Sequence, residues 1–182
     1  MNRKEFRAEF KVADDGRGFG SFEGMASVFS NRDRQGEVVL PGAFAKSLPR
    51  FISAGFLAVS HDWSEPIGTI DEARETDRGL WVRGEFHSTP KAQQARAIIR
   101  ERIERRRQVA MSIGYNVILD SRGKNGDRLL KELELFEVSV VTVPANPEAA
   151  MIGAKHYRNL EQEMRNIMVS RMRREFLDSL AK

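Results

Sequence analysis

The chain has 182 residues and a mass of 20.7 kDa, a size that fits one domain with a short appendage better than two full domains. With 41% hydrophobic and 31% charged residues it can bury a core, which excludes a wholly disordered chain. It contains no cysteine, so disulfide frameworks, thiol nucleophiles and cysteine-based metal sites are excluded. Any nucleophilic residue must therefore be a serine, threonine, lysine or carboxylate.

The formal net charge of +4 is concentrated in one segment, because residues 91–107 hold seven basic and two acidic side chains. Aromatic residues do not alternate with these basic ones, as the stacking platforms of a nucleic-acid-binding surface would. No stretch of 18 apolar residues occurs, and residues 1–12 lack a signal-peptide pattern. We therefore expect no binding to nucleic acid or to a membrane. The basic segment is expected to be a solvated helix face, with docking to an acidic scaffold surface as the alternative.

The first half of the chain is predicted to consist mainly of strands. Apolar and polar residues alternate in several short segments, and polar or glycine-containing turns separate these segments. The predicted strands cover, in chain order, residues 4–13, 22–29, 37–40, 56–60, 67–73 and 79–86. A short helix is expected after Pro41 and Gly42, over residues 43–48.

The second half begins with a predicted helix that has Pro90 in its first turn and Ser88 or Thr89 as its cap. The predicted elements are a helix over residues 90–107, strands over 109–119 and 129–143, and a last amphipathic helix over 157–180. Strands outnumber helices and do not alternate regularly with them. We therefore predict an α+β, mostly β fold, in which an antiparallel sheet or barrel carries peripheral helices.

Ser112 lies in a segment that otherwise has the composition of a buried strand. Alternation would place it on a face with Ala110, Gly114 and Asn116, which is small and polar. Such a face leaves room for a substrate backbone beside a hydroxyl group. A structural serine whose hydroxyl bonds to its neighbours is the commoner explanation from pattern alone, so both interpretations stay open at this point.

The chain has three histidines that are candidates for a general base, His61, His87 and His156. His61 ends an apolar strand, a position from which a rigid element can present a side chain to a cleft. An ordinary strand-end histidine paired with Asp62 is the alternative. His87 also ends a strand but has no neighbour that favours a role, and His156 is expected to be exposed.

Glu137 interrupts the apolar segment 135–143. A carboxylate that is buried without a partner costs several kcal/mol, so this one needs a partner, and a histidine would serve. Ser139 shares the predicted face of Glu137 and is a rival nucleophile to Ser112, with an ordinary strand hydroxyl as the more common interpretation.

Several segments taken together resemble the prohead serine proteases of tailed bacteriophages, a family related in fold to the herpesvirus assembly protease. The resemblance spans residues 22–149, and it is the order and spacing of the segments that make it specific. These segments are Glu23-Gly-Met-Ala-Ser-Val-Phe29, Val39-Leu-Pro-Gly-Ala-Phe44, Ser60-His-Asp62 with Pro66-Ile-Gly68, Met111-Ser-Ile-Gly-Tyr115, and Phe136-Glu-Val-Ser-Val-Val-Thr-Val-Pro-Ala-Asn-Pro147.

The resemblance implies a serine endopeptidase domain over residues 1–154 that needs no cofactor and no metal. Carried over position by position, the family's histidine falls on His61 and its nucleophilic serine on Ser112. The acidic member of the implied Ser-His-Glu triad falls on Glu137. Asp62 is the alternative, although a residue next to His61 on an extended strand points the other way.

The resemblance also implies a role in capsid maturation. The expected substrates are the major capsid protein with its scaffold or delta segment, and the protease itself, cleaved inside the prohead in the host cytoplasm. Analogy with the herpesvirus enzymes adds homodimerisation as a hypothesis, and the C-terminal helix, residues 155–182, is assigned to packing, oligomerisation or scaffold contact. The alternative function is a catalytically inactive scaffold or assembly protein with the same fold, against which the presence of all three candidate residues argues.

Overall fold

The computed structural model describes residues 11–13, 19–147 and 149–151. In this part of the chain, nine strands form one sheet and two helices accompany it. The strands are β1 (Lys11–Ala13), β2 (Ser21–Val28), β3 (Glu37–Val39), β4 (Phe56–Val59), β5 (Gly68–Glu75), β6 (Gly79–Phe86), β7 (Val109–Arg122), β8 (Arg128–Val141) and β9 (Ala150–Met151). The helices are α1 (Leu48–Ala54) and α2 (Pro90–Glu104).

The strands follow the order β1-β2-β6-β5-β4-β8-β7-β9, and β3 pairs with β8 outside this path. Most neighbouring strands are antiparallel, whereas β3 and β4 both run parallel to β8. The predicted α+β, mostly β fold is confirmed, with a sheet that is mixed rather than wholly antiparallel. Because β8 pairs with β3, β4 and β7, it connects most of the elements that form the site described below.

The core is one cluster of buried apolar side chains to which strands β2 to β8 and both helices contribute. Its largest fully buried apolar members are Phe22, Phe44, Phe51, Leu57, Ile67, Leu80, Met111, Leu130 and Leu133. The helix α2 buries Ala92, Ile99 and Ile103, which lie on one side of it. Arg100 and Arg102 are exposed on the rest of its surface, which agrees with the predicted solvated basic face.

The helix predicted over residues 43–48 lies further along the chain, because a series of turns precedes α1. A tertiary contact that the sequence pattern does not show holds these turns. The carboxylate of Glu75 accepts hydrogen bonds of 2.8 Å from the backbone N–H groups of Gly42 and Phe44. Pro49 then lies in the first turn of α1, where its missing N–H removes no helical hydrogen bond.

The other elements predicted within the described residues lie close to their observed positions, whereas residues 4–10 of the first predicted strand lie outside those residues. Pairing of β7 with β8 continues beyond the predicted strand ends at residues 119 and 129, as far as Arg122 and Arg128. The helix α2 begins at Pro90, and the side chain of its cap residue Thr89 accepts a hydrogen bond from the backbone N–H of Ala92. The predicted C-terminal helix, His156 and the domain boundary at residue 154 lie outside the described residues. No helix among the described residues is both long enough and apolar enough to cross a membrane.

Candidate active site

Two of the three candidate residues lie on the neighbouring strands β7 and β8, and the third follows β4, which also pairs with β8. Ser112 on β7 pairs in register with Ser139 on β8, and Glu137 lies two residues before Ser139 on the same strand. His61 follows shortly after the end of β4, on the other side of β8. The register therefore brings together side chains that are 51 and 76 residues from His61 in the sequence.

The imidazole ring of His61 lies between a carboxylate and a hydroxyl group. Its Nδ1 is 2.5 Å from Oε1 of Glu137, and its Nε2 is 3.1 Å from Oγ of Ser112. When Nδ1–H donates to the carboxylate, Nε2 carries no proton and accepts a hydrogen bond from the serine hydroxyl. A general base that activates a serine nucleophile needs this arrangement, in which the carboxylate fixes the tautomer of the ring.

A left-handed backbone turn directs His61 towards the sheet. Ser60 and His61 have φ angles of 52° and 60°, values that residues other than glycine rarely adopt and that cost about 1–3 kcal/mol each. Hydrogen bonds hold the turn, since the N–H of Ser60 donates to the carbonyl of Val140 at 2.9 Å and that of Asp62 donates to Val59 at 3.0 Å. Because β4 ends in this turn, the imidazole ring of His61 points towards β8, where it contacts Glu137.

Ser139 joins the backbone of His61 to the carboxylate of Glu137. Its hydroxyl accepts a 3.0 Å hydrogen bond from the N–H of His61 and donates a 2.7 Å hydrogen bond to Oε2 of Glu137. The side chain is fully buried, which argues against its role as the rival nucleophile, because a substrate carbonyl has no access to it. The sequence contained one signal of this contact, the spacing of two residues that places both side chains on one face of a strand.

Glu137 is fully buried, as its apolar neighbours predicted, and each of its oxygens has a polar partner. Gly114 lies opposite it in the register of β7 and β8. A Cβ atom at position 114 would lie 2.5 Å from Oε1 of Glu137. The absence of a side chain at Gly114 thus leaves room for this carboxylate.

Asp62, the alternative acidic residue, makes a different set of contacts. Its carboxylate accepts hydrogen bonds from the hydroxyl of Ser64 at 2.5 Å, from the N–H of Ser64 at 3.0 Å and from Nζ of Lys91 at 3.0 Å. These hydrogen bonds, that of the Ser64 hydroxyl foremost, lower the pKa of Asp62 to about 2. Of the two acidic candidates, Glu137 is the one whose carboxylate contacts the ring of His61.

The second described histidine has a structural environment. The ring Nδ1 of His87 lies 3.1 Å from the carbonyl oxygen of Pro66, and its backbone N–H donates to the carbonyl of Ile67 at 2.9 Å. Over the described ranges, no group of three or more histidine, aspartate and glutamate side chains is arranged to hold a metal ion.

Ser112 and His61 open onto a cleft with a volume of about 1020 Å³. The side chain of His61 is 44% exposed, so its reactive nitrogen is close to the surface. A cleft of this volume accommodates a segment of peptide. The hydroxyl group and the ring nitrogen thus face a space in which a substrate can bind, whereas Glu137 and Ser139 lie beneath them.

One wall of the cleft is the segment 142–146, which follows β8. The loop between β2 and β3 holds this wall in place. The N–H of Arg34 donates to the carbonyl of Ala145 at 3.0 Å. The side-chain amides of Asn31 and Asn146 exchange two hydrogen bonds, of 2.7 and 2.8 Å. The wall beside the candidate nucleophile is therefore fixed by backbone and side-chain groups of a loop more than 100 residues away in the sequence.

A polar cluster at another part of the cleft was not predicted from the sequence. The hydroxyl of Tyr115 donates a 2.6 Å hydrogen bond to Oε2 of Glu37, and Nη1 of Arg128 lies 2.9 Å from Oε1 of the same carboxylate. Burial, and after it the hydrogen bond to Glu37, raises the pKa of Tyr115 above its usual range. Nothing in the local pattern indicates this cluster, because its members come from three separate strands.

Comparison with known proteins identifies the family. Residues 7–163 match the family described as caudovirus prohead serine protease. The chain belongs to this family. The prohead protease of Enterobacteria phage HK97 is 34% identical over 157 residues, which are 84% of this chain and 68% of that protein. The prohead protease of Escherichia phage T5 is 29% identical over 136 residues, which are 72% and 61% of the two chains.

The resemblance to the prohead proteases seen in the sequence is thus confirmed, and the chain spans about two thirds of the length of these two relatives. Among solved structures, the bacteriophage T4 capsid assembly protease has a TM-score of 0.55 at 13% identity, over 75% of this chain and 96% of that one. This likeness shows a common fold. The protease of KSHV, in complex with a hexapeptide phosphonate inhibitor, has a TM-score of 0.46 at 10% identity, over 69% and 60% of the two chains.

Proposed function

We propose that this prohead protease family member is an active serine endopeptidase with Ser112 as nucleophile, His61 as general base and Glu137 as the carboxylate that orients the base. The observation that carries the proposal is the continuous contact from Ser112 Oγ through the ring of His61 to Glu137, with distances of 3.1 and 2.5 Å. The cleft above Ser112 and the family assignment support it independently.

In the proposed reaction, Oγ of Ser112 attacks the carbonyl carbon of a peptide bond while Nε2 of His61 takes the hydroxyl proton. The tetrahedral intermediate breaks down when His61 gives this proton to the leaving amine, and an acyl ester remains on Ser112. Water then attacks the ester, losing a proton to His61, which returns it to Ser112. Glu137 accepts the hydrogen bond from Nδ1–H throughout and stabilises the imidazolium.

Ser139 is proposed as a positioning residue rather than a catalytic one. None of the hydrogen bonds described above joins the hydroxyl of Ser139 to that of Ser112. Its hydroxyl instead contacts the backbone of His61 and the second oxygen of Glu137. An imidazole and a carboxylate that are held in this way need little reorganisation when charge develops on the ring.

We propose that the substrates are the major capsid protein with its scaffold or delta segment and the protease itself, cleaved within the prohead in the host cytoplasm. Family membership and the T4 and HK97 relatives support a role in capsid assembly. Homodimerisation stays a hypothesis from the sequence analysis. Sedimentation of a Ser112→Ala protein as a pure monomer at high concentration would contradict it.

The proposal is tested by co-expression with a major capsid protein as the candidate substrate, followed by mass analysis of both proteins. We expect Ser112→Ala and His61→Ala to abolish cleavage of the capsid protein and of the protease, and Glu137→Gln to reduce it strongly. Ser121→Ala, which removes another serine of β7, serves as the matched control and should process normally. Normal processing by Ser112→Ala would overturn the assignment.

A labelling experiment separates the enzyme from an inactive assembly protein of the same fold. A fluorophosphonate should react with Ser112 in the wild-type protein and not in the His61→Ala variant, since only an activated serine reacts quickly. Absence of labelling in the wild type, together with absence of cleavage, would favour the inactive alternative.

A further inference from the structure

Trp63 exposes much of its ring beside the proposed active site. The residue is 54% exposed and lines the same cleft as His61 and Ser112. Tryptophan is highly buried on average, because its large ring gains much free energy when it leaves water. An indole ring that stays in contact with solvent, two residues after the proposed base, offers a surface to which an apolar ligand can bind.

Two phenylalanine rings hold the indole ring from beneath. Its centroid is 6.3 Å from that of Phe56, at an interplanar angle of 87°, and 6.0 Å from that of Phe136, at 56°. Phe56 and Phe136 are each half-buried. Aromatic pairs at such spacings are favourable. A ligand that binds Trp63 therefore meets a ring whose position is already fixed, so binding orders little of the protein.

The backbone also fixes the positions of the two rings that line the cleft, those of Trp63 and Phe136. Gly114 pairs with Glu137 and Tyr115 with Leu135, so that Phe136 is the extra residue of a β-bulge. Bulges redirect a side chain and occur frequently beside active sites. On the other side, the hydrogen bonds from Ser64 and Lys91 to Asp62 fix the turn that carries Trp63.

We propose that Trp63 and Phe136 form a subsite that binds a large apolar side chain of the peptide substrate close to the scissile bond. The inference rests on the proposed endopeptidase function and adds its substrate class. The carboxylates of Asp62 and Glu65 lie near the turn, but Nζ of Lys91 pairs with both, at 3.0 and 3.3 Å. The composition of the subsite thus favours aromatic and branched aliphatic side chains over basic ones.

The test begins with cleavage of a peptide library by the full-length protease, with the products identified by mass spectrometry. We expect one position near the scissile bond to be enriched in large apolar residues. Two peptides are then compared that differ only there, one with the preferred residue and one with alanine. The wild-type ratio of their kcat/KM values should be about 10 to 100, the discrimination that an apolar pocket provides.

Variants of Trp63 test whether the aromatic rings of the subsite cause this ratio of kcat/KM values. Trp63→Ala should reduce the ratio to about one, and Trp63→Phe should keep most of it, because an aromatic ring remains. Ile118→Ala is the matched control, since Ile118 is 58% exposed on β7 and does not line the cleft. Its ratio and activity should equal those of the wild type.

The ratio compares two substrates of one protein, so partial loss of folded enzyme affects both values equally. Three results would each overturn the subsite and leave the endopeptidase proposal intact. The ratio could be unchanged in Trp63→Ala, the wild type could show no apolar preference, or the wild type could prefer lysine or arginine at this position. Failure of the endopeptidase proposal has a different result, namely no cleavage of any library peptide and no fluorophosphonate labelling of Ser112, and it overturns the subsite as well.

Discussion

Ser139 donates a hydrogen bond of 2.7 Å to Oε2 of Glu137, two residues before it on β8. Both side chains are fully buried and lie on the same face of the strand. The same hydroxyl accepts the backbone N–H of His61, so one small side chain fixes the carboxylate and the backbone that carries the imidazole. Removal of this hydroxyl leaves a buried charge with one partner fewer, which is costly.

Replacement of this hydroxyl should therefore affect turnover more than substrate binding. We expect Ser139→Ala to lower kcat by about 10- to 100-fold, the cost of losing a hydrogen bond to a charged group. KM should change by less than about twofold, because the residue does not touch the substrate. Ser139→Thr, which keeps a hydroxyl group, should recover part of the lost kcat. Steady-state kinetics with wild-type kcat in Ser139→Ala would contradict the positioning role.

Gly114 should not tolerate a side chain, because its Cβ would lie 2.5 Å from Oε1 of Glu137. The carboxylate has to move away from His61 to relieve this contact. We expect Gly114→Ala to slow fluorophosphonate labelling of Ser112 by about 100-fold, since a small displacement in a catalytic site costs this much. At position 123 a Cβ meets only the flexible side chain of Leu129, at 3.3 Å, so Gly123→Ala is the control. Equal labelling rates in both variants would exclude the steric argument.

The choice between the two acidic residues has a direct kinetic test. Glu137→Gln removes the charge that contacts Nδ1 of His61 and should lower kcat by about 10⁴-fold, as loss of the triad carboxylate does in other serine proteases. Asp62→Asn alters only the turn beside the site and should lower kcat by less than about tenfold. A larger loss in Asp62→Asn than in Glu137→Gln, with both proteins folded, would make Asp62 the acidic member.

Tyr115 gives the fold a dependence on alkaline pH. Burial, and after it the hydrogen bond to Glu37, raises the pKa of Tyr115 above 10.0 in the folded protein. The neutral phenol therefore stabilises the fold fully below pH 10 and progressively less as the pH rises above 10, where the unfolded phenol ionises. We expect Tyr115→Phe to be less stable than the wild type by about 1 kcal/mol at pH 8. Denaturation by urea at pH 8 and pH 11 should show this difference becoming smaller at the higher pH. A difference that grows with pH would reverse the assigned direction.

Local patterns predicted most of the elements correctly, because strand alternation and helix caps are encoded in neighbouring residues. The start of α2 is an example, since Pro90 and the Thr89 cap are adjacent in the sequence. The helix near residue 43 was misplaced because Glu75, more than 30 residues away, holds the turns that precede α1. A contact of this kind has no signature in the local pattern.

The candidate site residues were predicted through the resemblance, but their geometry depends on the register between distant strands. Ser112 meets Ser139 across β7 and β8, and Phe56 pairs with Glu137 across β4 and β8. The pattern around Gly114 indicated a small face and could not show which group fills it. No role was predicted for Trp63 from the sequence, because the role proposed for it depends on the rings packed against it in the folded chain.

The parallel pairing of β4 with β8 has a consequence for a chain that has just been synthesised. Residues 56–59 and 137–140 must associate before His61 and Glu137 can meet, and the intervening chain has to be made first. Closing such a long loop is slow compared with forming the local hairpin of β7 and β8. We therefore expect Ser112 to enter the locally formed hairpin before His61, the proposed base, lies beside it. Under the proposed mechanism, a nascent chain has an unactivated Ser112 until its distant strands have joined.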